Sequence, residues 1–258
     1  IDGARPGYYL KYDERYPEEK RADQVIAWLR LPPALRPHFI ALYDSSVDRA
    51  GHTFGPESAQ TAEAVRATDR MVGKLWEEIS SLNLPVDLIV VSDHGMEQQK
   101  GSWINLDKYA DLSNFIVVGS LLYPKSEASA ERAYQQLKIK TDEFTVYRRS
   151  RLPAGLHYSS NPRAGDPVIL VNGPYAVRAH APPANGGDLA PEAGVHGYDP
   201  GVLPSMRAFF LAVGPDIRPG STLRPFENVN VYPLVTRILG LESPPVDGSV
   251  NILSGILK

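Results

Sequence analysis

Apolar residues along this chain fall into helical spacings separated by short unbroken runs. Val25, Ile26, Trp28 and Leu29 repeat at a broadly helical period after Pro17-Glu18-Glu19, and Pro32-Pro33 closes that segment. Ala62, Val65, Val72, Leu75, Trp76, Ile79 and Leu82 share one broad face over about residues 57–82, which predicts a long amphipathic helix ended by Asn83 and Pro85. Residues 88–91 read Leu-Ile-Val-Val, a buried strand within a segment running from Asp87 to Ser92. Residues 38–43, 115–122, 144–148, 167–171, 176–179 and 208–213 read as further strands. Residues 126–138 and 230–239 read as helices, the second capped by Gly240. Residues 1–16, 44–48 and 181–194 read as loops, the last rich in Pro, Gly and Ala. A strand, a long helix and a strand in succession build a parallel sheet with right-handed crossovers. The expected fold class is α/β, a mostly parallel central sheet with helices on both faces. About residues 123–195 carry no obvious chemistry and could form a smaller insert.

The buried strand at 88–91 runs directly into Ser92-Asp93-His94-Gly95-Met96. Ligands bind outside the carboxyl ends of strands in open α/β sheets, and Gly95 lets the backbone turn there. Two other segments combine the same residue types: Asp48-Arg49-Ala50-Gly51-His52 and Val195-His196-Gly197-Tyr198-Asp199. A lone Asp at a strand end is usually a helix cap or turn former, and a lone His-Gly is usually a turn. Three such segments at loop or strand ends favour a metal centre instead. An Asp and a His four positions apart can meet one ion if their loop coils as a helical turn. His38, His157 and His180 lack such neighbours and read as ordinary structural residues, while Glu97 and Asp199 read as shaping loops or supporting ligands.

With no cysteine, disulfides and thiolate ligands are excluded, so any metal is held by His, Asp, Glu or hydroxyl oxygens. Carboxylate and imidazole suit zinc, and also manganese or iron. Five ligands exceed what one catalytic zinc takes from protein, which favours a pair of metals of the kind that clamps both oxygens of a phosphoryl transfer. A net charge of −3 gives no reason to expect a nucleic acid duplex or an anionic membrane as partner. No apolar run approaches the roughly 18 residues of a membrane span. The Tyr-rich start, with Tyr8, Tyr9 and Tyr12, offers either plain packing or a flat face for a base.

Asp48-x-x-Gly51-His52-x-x-Gly55-Pro56, Ser92-Asp93-His94-Gly95-Met96 and His196-Gly197-Tyr198-Asp199 resemble, in that order, the motifs of the nucleotide pyrophosphatase/phosphodiesterase family of the alkaline phosphatase superfamily. Pro204-Ser205-Met206 and Asn230-Val231-Tyr232-Pro233 fit the same pattern. The resemblance implies an alkaline-phosphatase-like fold and two zinc ions that serve hydrolysis of phosphodiester or pyrophosphate bonds in nucleotides or related diesters. It implies Asp48, His52 and His196 on one zinc, Asp93 and His94 on the other, Tyr12 stacked on the base and Tyr43 lining the same pocket. It implies a periplasmic or extracellular location. The family's Thr nucleophile and a further Asp ligand precede these motifs, and Thr53, Thr61 and Thr68 are not placed to replace that Thr. The chain is therefore expected to be the C-terminal portion of a catalytic domain, completed by an N-terminal polypeptide of the same protein. Pro200 stands where Asn commonly follows the last motif. The rival expectations are a phosphomonoesterase or phosphonate hydrolase of the same superfamily, or a non-catalytic metal-binding fragment.

Overall fold

A computed structural model describes residues 3–101, 103–182 and 192–258. In chain order the helices are α1 (Glu18–Leu29), α2 (Ser46–Phe54), α3 (Ala59–Ser81), α4 (Glu127–Leu137) and α5 (Val231–Ile238). The strands are β1 (Leu88–Val91), β2 (Glu97–Gln98), β3 (Ile104–Asn105), β4 (Phe115–Val118), β5 (Leu121–Pro124), β6 (Phe144–Tyr147), β7 (Val168–Val171), β8 (Val177–Arg178), β9 (Gly194–Val195) and β10 (Phe210–Val213). The chain divides into two compact units, one of Ile1–Ala50, Ala59–Asp93 and Phe209–Lys258, the other of Gly51–Ser58 and His94–Ala208.

In the first unit the helical spacing becomes a core. Ala22, Val25, Ile26 and Leu29 of α1 meet Met71, Leu75 and Ile79 of α3, with Leu88 of β1 against the same cluster. Burying a side chain such as Ile26 contributes about 1.5–3 kcal/mol. Ile89 of β1 packs instead with Phe210, Ile217, Leu234 and Leu253. The strand thus meets an apolar cluster on each face, but it is half-buried rather than the buried strand expected, with Val91 43% exposed. It pairs antiparallel with β10, Leu88 opposite Val213 and Val91 opposite Phe210. Gly240, at φ +67, closes α5 as expected. Its N–H donates to the Arg237 carbonyl and that of Leu241 to the Thr236 carbonyl, a Schellman motif.

In the second unit α4 packs its Ala133 and Leu137 against Leu122, Phe144 and Val146 of the hairpins β4–β5 and β6–β7. Arg148, just past β6, ties these together. It donates to Glu127 and Glu131 of α4 at 2.5 and 2.5 Å, and to both oxygens of Asp166, before β7, at 3.0 and 2.9 Å.

Several expectations about single elements need correction, while the mostly parallel central sheet is not shown by the ladders of the described residues. Each joins two strands, β1–β10, β2–β9, β4–β5 and β6–β7 antiparallel and only β3–β8 parallel. An apolar run reports burial on two faces, and an antiparallel strand between two apolar clusters meets that condition as well as a parallel one. Residues 38–43 join no ladder, although Ile40 and Leu42 do pack on the α1–α3 core. Residues 115–122 are not one strand. They run into the hairpin β4–β5, turned at Gly119 (φ +61), a backbone setting that glycine adopts without strain. The loop expected at 44–48 is already helical from Ser46. The Asp44 carboxylate turns the chain there, accepting from the Ser46 N–H and Oγ at 3.0 Å each and from Thr68 Oγ at 2.8 Å. Most of the loop expected at 181–194 lies outside the described residues. No described helix is long and apolar enough to cross a membrane.

Candidate metal centre

Coiling of residues 46–54 into α2 places Asp48 and His52 one turn apart on the same helix face. Asp48, His52 and His196 each offer one ligand atom, and the three atoms lie within 4.8 Å of one another. His52 Nδ1 faces two acceptors, Glu192 Oε2 at 2.8 Å and the Gly194 carbonyl at 2.9 Å. A carbonyl oxygen only accepts, so Nδ1 carries the proton and Nε2 presents its lone pair. That lone pair points at His196 Nε2, 3.2 Å away. Two nitrogen ligands about 2.05 Å from a tetrahedral zinc stand about 3.3 Å apart. Two imidazole nitrogens and a carboxylate, with one tautomer fixed, fit a divalent zinc-like ion.

Close backbone approach brings the two imidazoles together. A Cβ on Gly194 would come within 2.3 Å of the Gly51 carbonyl oxygen and 2.6 Å of the Met96 sulfur. A Cβ on Gly51 would meet the same sulfur at 2.2 Å. Glycine at both positions lets β9, the Met96 thioether and the second half of α2 stack without a gap. The neighbours differ in how far they can yield, backbone for Gly194 and the end of a flexible side chain for Gly51. Gly194→Ala is therefore expected to lower stability by about 1–3 kcal/mol and to weaken metal binding, with Gly51→Ala milder in both. Thermal unfolding and zinc titration of the two variants check this; equal effects would contradict it.

Asp93 follows β1 by two residues, and its backbone carbonyl accepts from Asn228 Nδ2 at 3.3 Å. It is not among the three clustered ligands. His94 stacks on His196, ring centroids 3.6 Å apart and planes 15° from parallel. Its Nδ1 donates to the Gly95 carbonyl at 2.8 Å, which assigns the acceptor lone pair to Nε2. Gly95 sits where a Cβ would meet the Ser205 carbonyl at 1.9 Å, and its N–H donates to the Met206 carbonyl at 3.0 Å. The turn after His94 is thus seated on the Pro204–Met206 turn, with Ser205 Oγ also donating to the Glu97 carboxylate. Tyr198 donates to the Tyr175 carbonyl at 2.8 Å; burial, with Glu97 nearby, raises its hydroxyl to about 12.

Tyr12 and Tyr43 form an exposed aromatic pair, centroids 5.9 Å apart. Tyr12 Oη is 3.0 Å from Ser45 Oγ, just ahead of α2. Desolvation, followed by Tyr12 and the carboxylates of Asp48, Asp93 and Asp44, pushes the Tyr43 hydroxyl above its usual value. Tyr43 therefore stands within electrostatic reach of both Asp48 and Asp93. Glu192 was missed in the sequence. It lies in a Pro/Gly/Ala-rich stretch, 140 positions from its His52 partner, and carries no local signal.

The profile of the type I phosphodiesterase / nucleotide pyrophosphatase family matches residues 1–199. The chain belongs to this family. Mouse ectonucleotide pyrophosphatase/phosphodiesterase family member 1 is 33% identical over 273 residues, spanning 100% of this chain and 30% of the mouse protein. A venom phosphodiesterase of Crotalus durissus collilineatus is likewise 33% identical, with 32% of its length covered. The chain thus spans about a third of the curated relatives it matches. Among solved structures, murine ectonucleotide pyrophosphatase/phosphodiesterase 5 superposes with a TM-score of 0.85 at 28% identity, covering 100% of this chain and 68% of that one. An inactive threonine-to-alanine form of that protein, in complex with AMP, matches equally well. For this phosphodiesterase-family chain, the family assignment accounts for the order of the three motifs. The local reasons they converge are the α2 turn and the glycine contacts.

Proposed function

We propose that the intact protein hydrolyses phosphodiester or pyrophosphate bonds in nucleotides or related diesters, using two zinc ions. The observation that carries this reading is the convergence of Asp48, His52 and His196 in a chain of the phosphodiesterase family. These three side chains would hold one ion, leaving a coordination position open as catalytic sites require. Asp93 and His94 would contribute to the second, His94 through Nε2. Bound zinc supplies positive charge to stabilise a phosphoryl oxygen and its displacement. The nucleophile is a threonine on an N-terminal polypeptide of the same protein, which also supplies the remaining ligand. The threonine-to-alanine form of the murine relative is inactive, which supports a threonine in that role.

Tyr12 and Tyr43 would offer the flat face for the nucleobase, an arrangement that stacks without reading sequence. We read β1 and β10 as part of a wider, mostly parallel central sheet in the intact alkaline-phosphatase-like domain. The relatives are named as ectonucleotide or venom enzymes, which supports an extracellular or periplasmic location.

The test compares hydrolysis of a nitrophenyl nucleotide ester with that of nitrophenyl phosphate, before and after chelation. Preference for the diester, lost with chelator and restored by zinc, is expected. Preference for the monoester would make the protein a phosphomonoesterase instead, and retained zinc without turnover a non-catalytic binder.

A further inference from the structure

Residues 192–194 hold His52 at its backbone carbonyl and at Nδ1, leaving Nε2 unblocked. The Ala193 N–H donates to the His52 carbonyl at 2.8 Å. The Gly194 carbonyl and the Glu192 carboxylate both accept from Nδ1, at 2.9 and 2.8 Å. The chain then continues to His196, whose Nε2 faces that of His52. Of the two acceptors on Nδ1, the carbonyl is neutral and fixed by β9, while the carboxylate is charged and on a side chain. They do different things. The carbonyl suffices to set the tautomer. Only the carboxylate adds negative charge to the far side of the ring, where it strengthens the lone pair at Nε2.

We propose that Glu192 is a positioning residue of the metal centre, its carboxylate holding the His52 ring through Nδ1 and raising the donor strength of Nε2 toward a divalent cation. This rests on the reading of Asp48, His52 and His196 as ligands. Glu192 is itself no ligand, because the nitrogen it contacts lies across the ring from the one that faces His196. Its side chain is 66% exposed, so its contribution is smaller than that of a buried supporting carboxylate. The Gly194 carbonyl remains when it is removed. The expected loss therefore sits near the lower end of the range for such partners, about tenfold in metal affinity.

The experiment measures zinc affinity of the intact protein by competition with a chromophoric chelator. It also records the visible absorption of the cobalt-loaded form. Glu192→Ala is expected to bind zinc about tenfold more weakly and to shift the cobalt bands. Glu192→Gln, which keeps a neutral acceptor, is expected to recover part of the affinity. Thermal unfolding of the metal-free variants should match the unsubstituted protein, which separates this role from a structural one. Affinity in Glu192→Ala within twofold of the unsubstituted protein, with unchanged cobalt bands, overturns the positioning role and leaves the metal centre standing. An unsubstituted protein that takes up no zinc at all overturns both.

Discussion

Replacing His196 or Asp48 with alanine is expected to lower turnover of a nitrophenyl nucleotide ester by about a thousandfold and to release zinc from the intact protein. The magnitude follows from the several kcal/mol of charge stabilisation that a bound metal contributes to displacement at phosphorus, where about 4 kcal/mol corresponds to about three orders of magnitude in rate. His196 and Asp48 come from separate parts of the chain, one from the residue after β9 and one from α2, so neither compensates for the other. With either gone, two protein ligands remain, fewer than the three that a catalytic zinc site keeps. Metal analysis and steady-state kinetics on the same preparations provide the check. Full activity with unchanged metal content would refute the assignment. Chelation of the unsubstituted protein should reproduce the variants' phenotype, and zinc should reverse it only in the unsubstituted protein.

The second large effect concerns stability. Arg148→Met is expected to destabilise the protein by about 3 kcal/mol, because removing one partner of a buried ion pair strands the other. The stranded group is Asp166, whose side chain is 16% exposed. Its desolvation would raise its carboxyl, but the Arg148 hydrogen bonds and the Arg149 N–H outweigh that and hold it below the usual range. Glu127 and Glu131 are far more open to water and lose little. A carboxyl depressed in the folded state stabilises above its unfolded value, and that contribution disappears as pH falls through the folded value. The gap between Arg148→Met and the unsubstituted protein should accordingly be widest near neutrality and narrow in acid. Thermal unfolding across pH tests this, and the double variant with Asp166→Asn should recover part of the loss. A gap that grows in acid would show that the stranded carboxylate is not the cause.

Much of this was legible in the sequence because it depends on local periodicity. The helix expected at 57–82 is Ala59–Ser81, and the strand after it is Leu88–Val91. The Gly240 cap also depends only on its immediate neighbours. Pairing direction does not. Nothing in Leu88-Ile89-Val90-Val91 distinguishes an antiparallel partner from a parallel one, because burial on both faces gives the same residues. The Gly119-Ser120 dipeptide was the sign that residues 115–122 fold back, and the apolar residues on either side obscured it. At the metal centre, residue types and spacing pointed to Asp48, His52 and His196. Why they meet depends on contacts between distant segments, such as Gly51 with Gly194 and Met96, which no local pattern records. Glu192 is illegible for the same reason.

The grip of residues 192–194 on His52, with His196 on the same short strap, has a kinetic consequence. If His52 and His196 both hold the proposed ion, two of its three ligands would move as one unit. An ion held this way would leave by a single opening of the strap rather than by exchange of ligands one at a time. Its residence time then reports the local unfolding free energy of β9, and any change that loosens that strand speeds metal loss without touching a ligand.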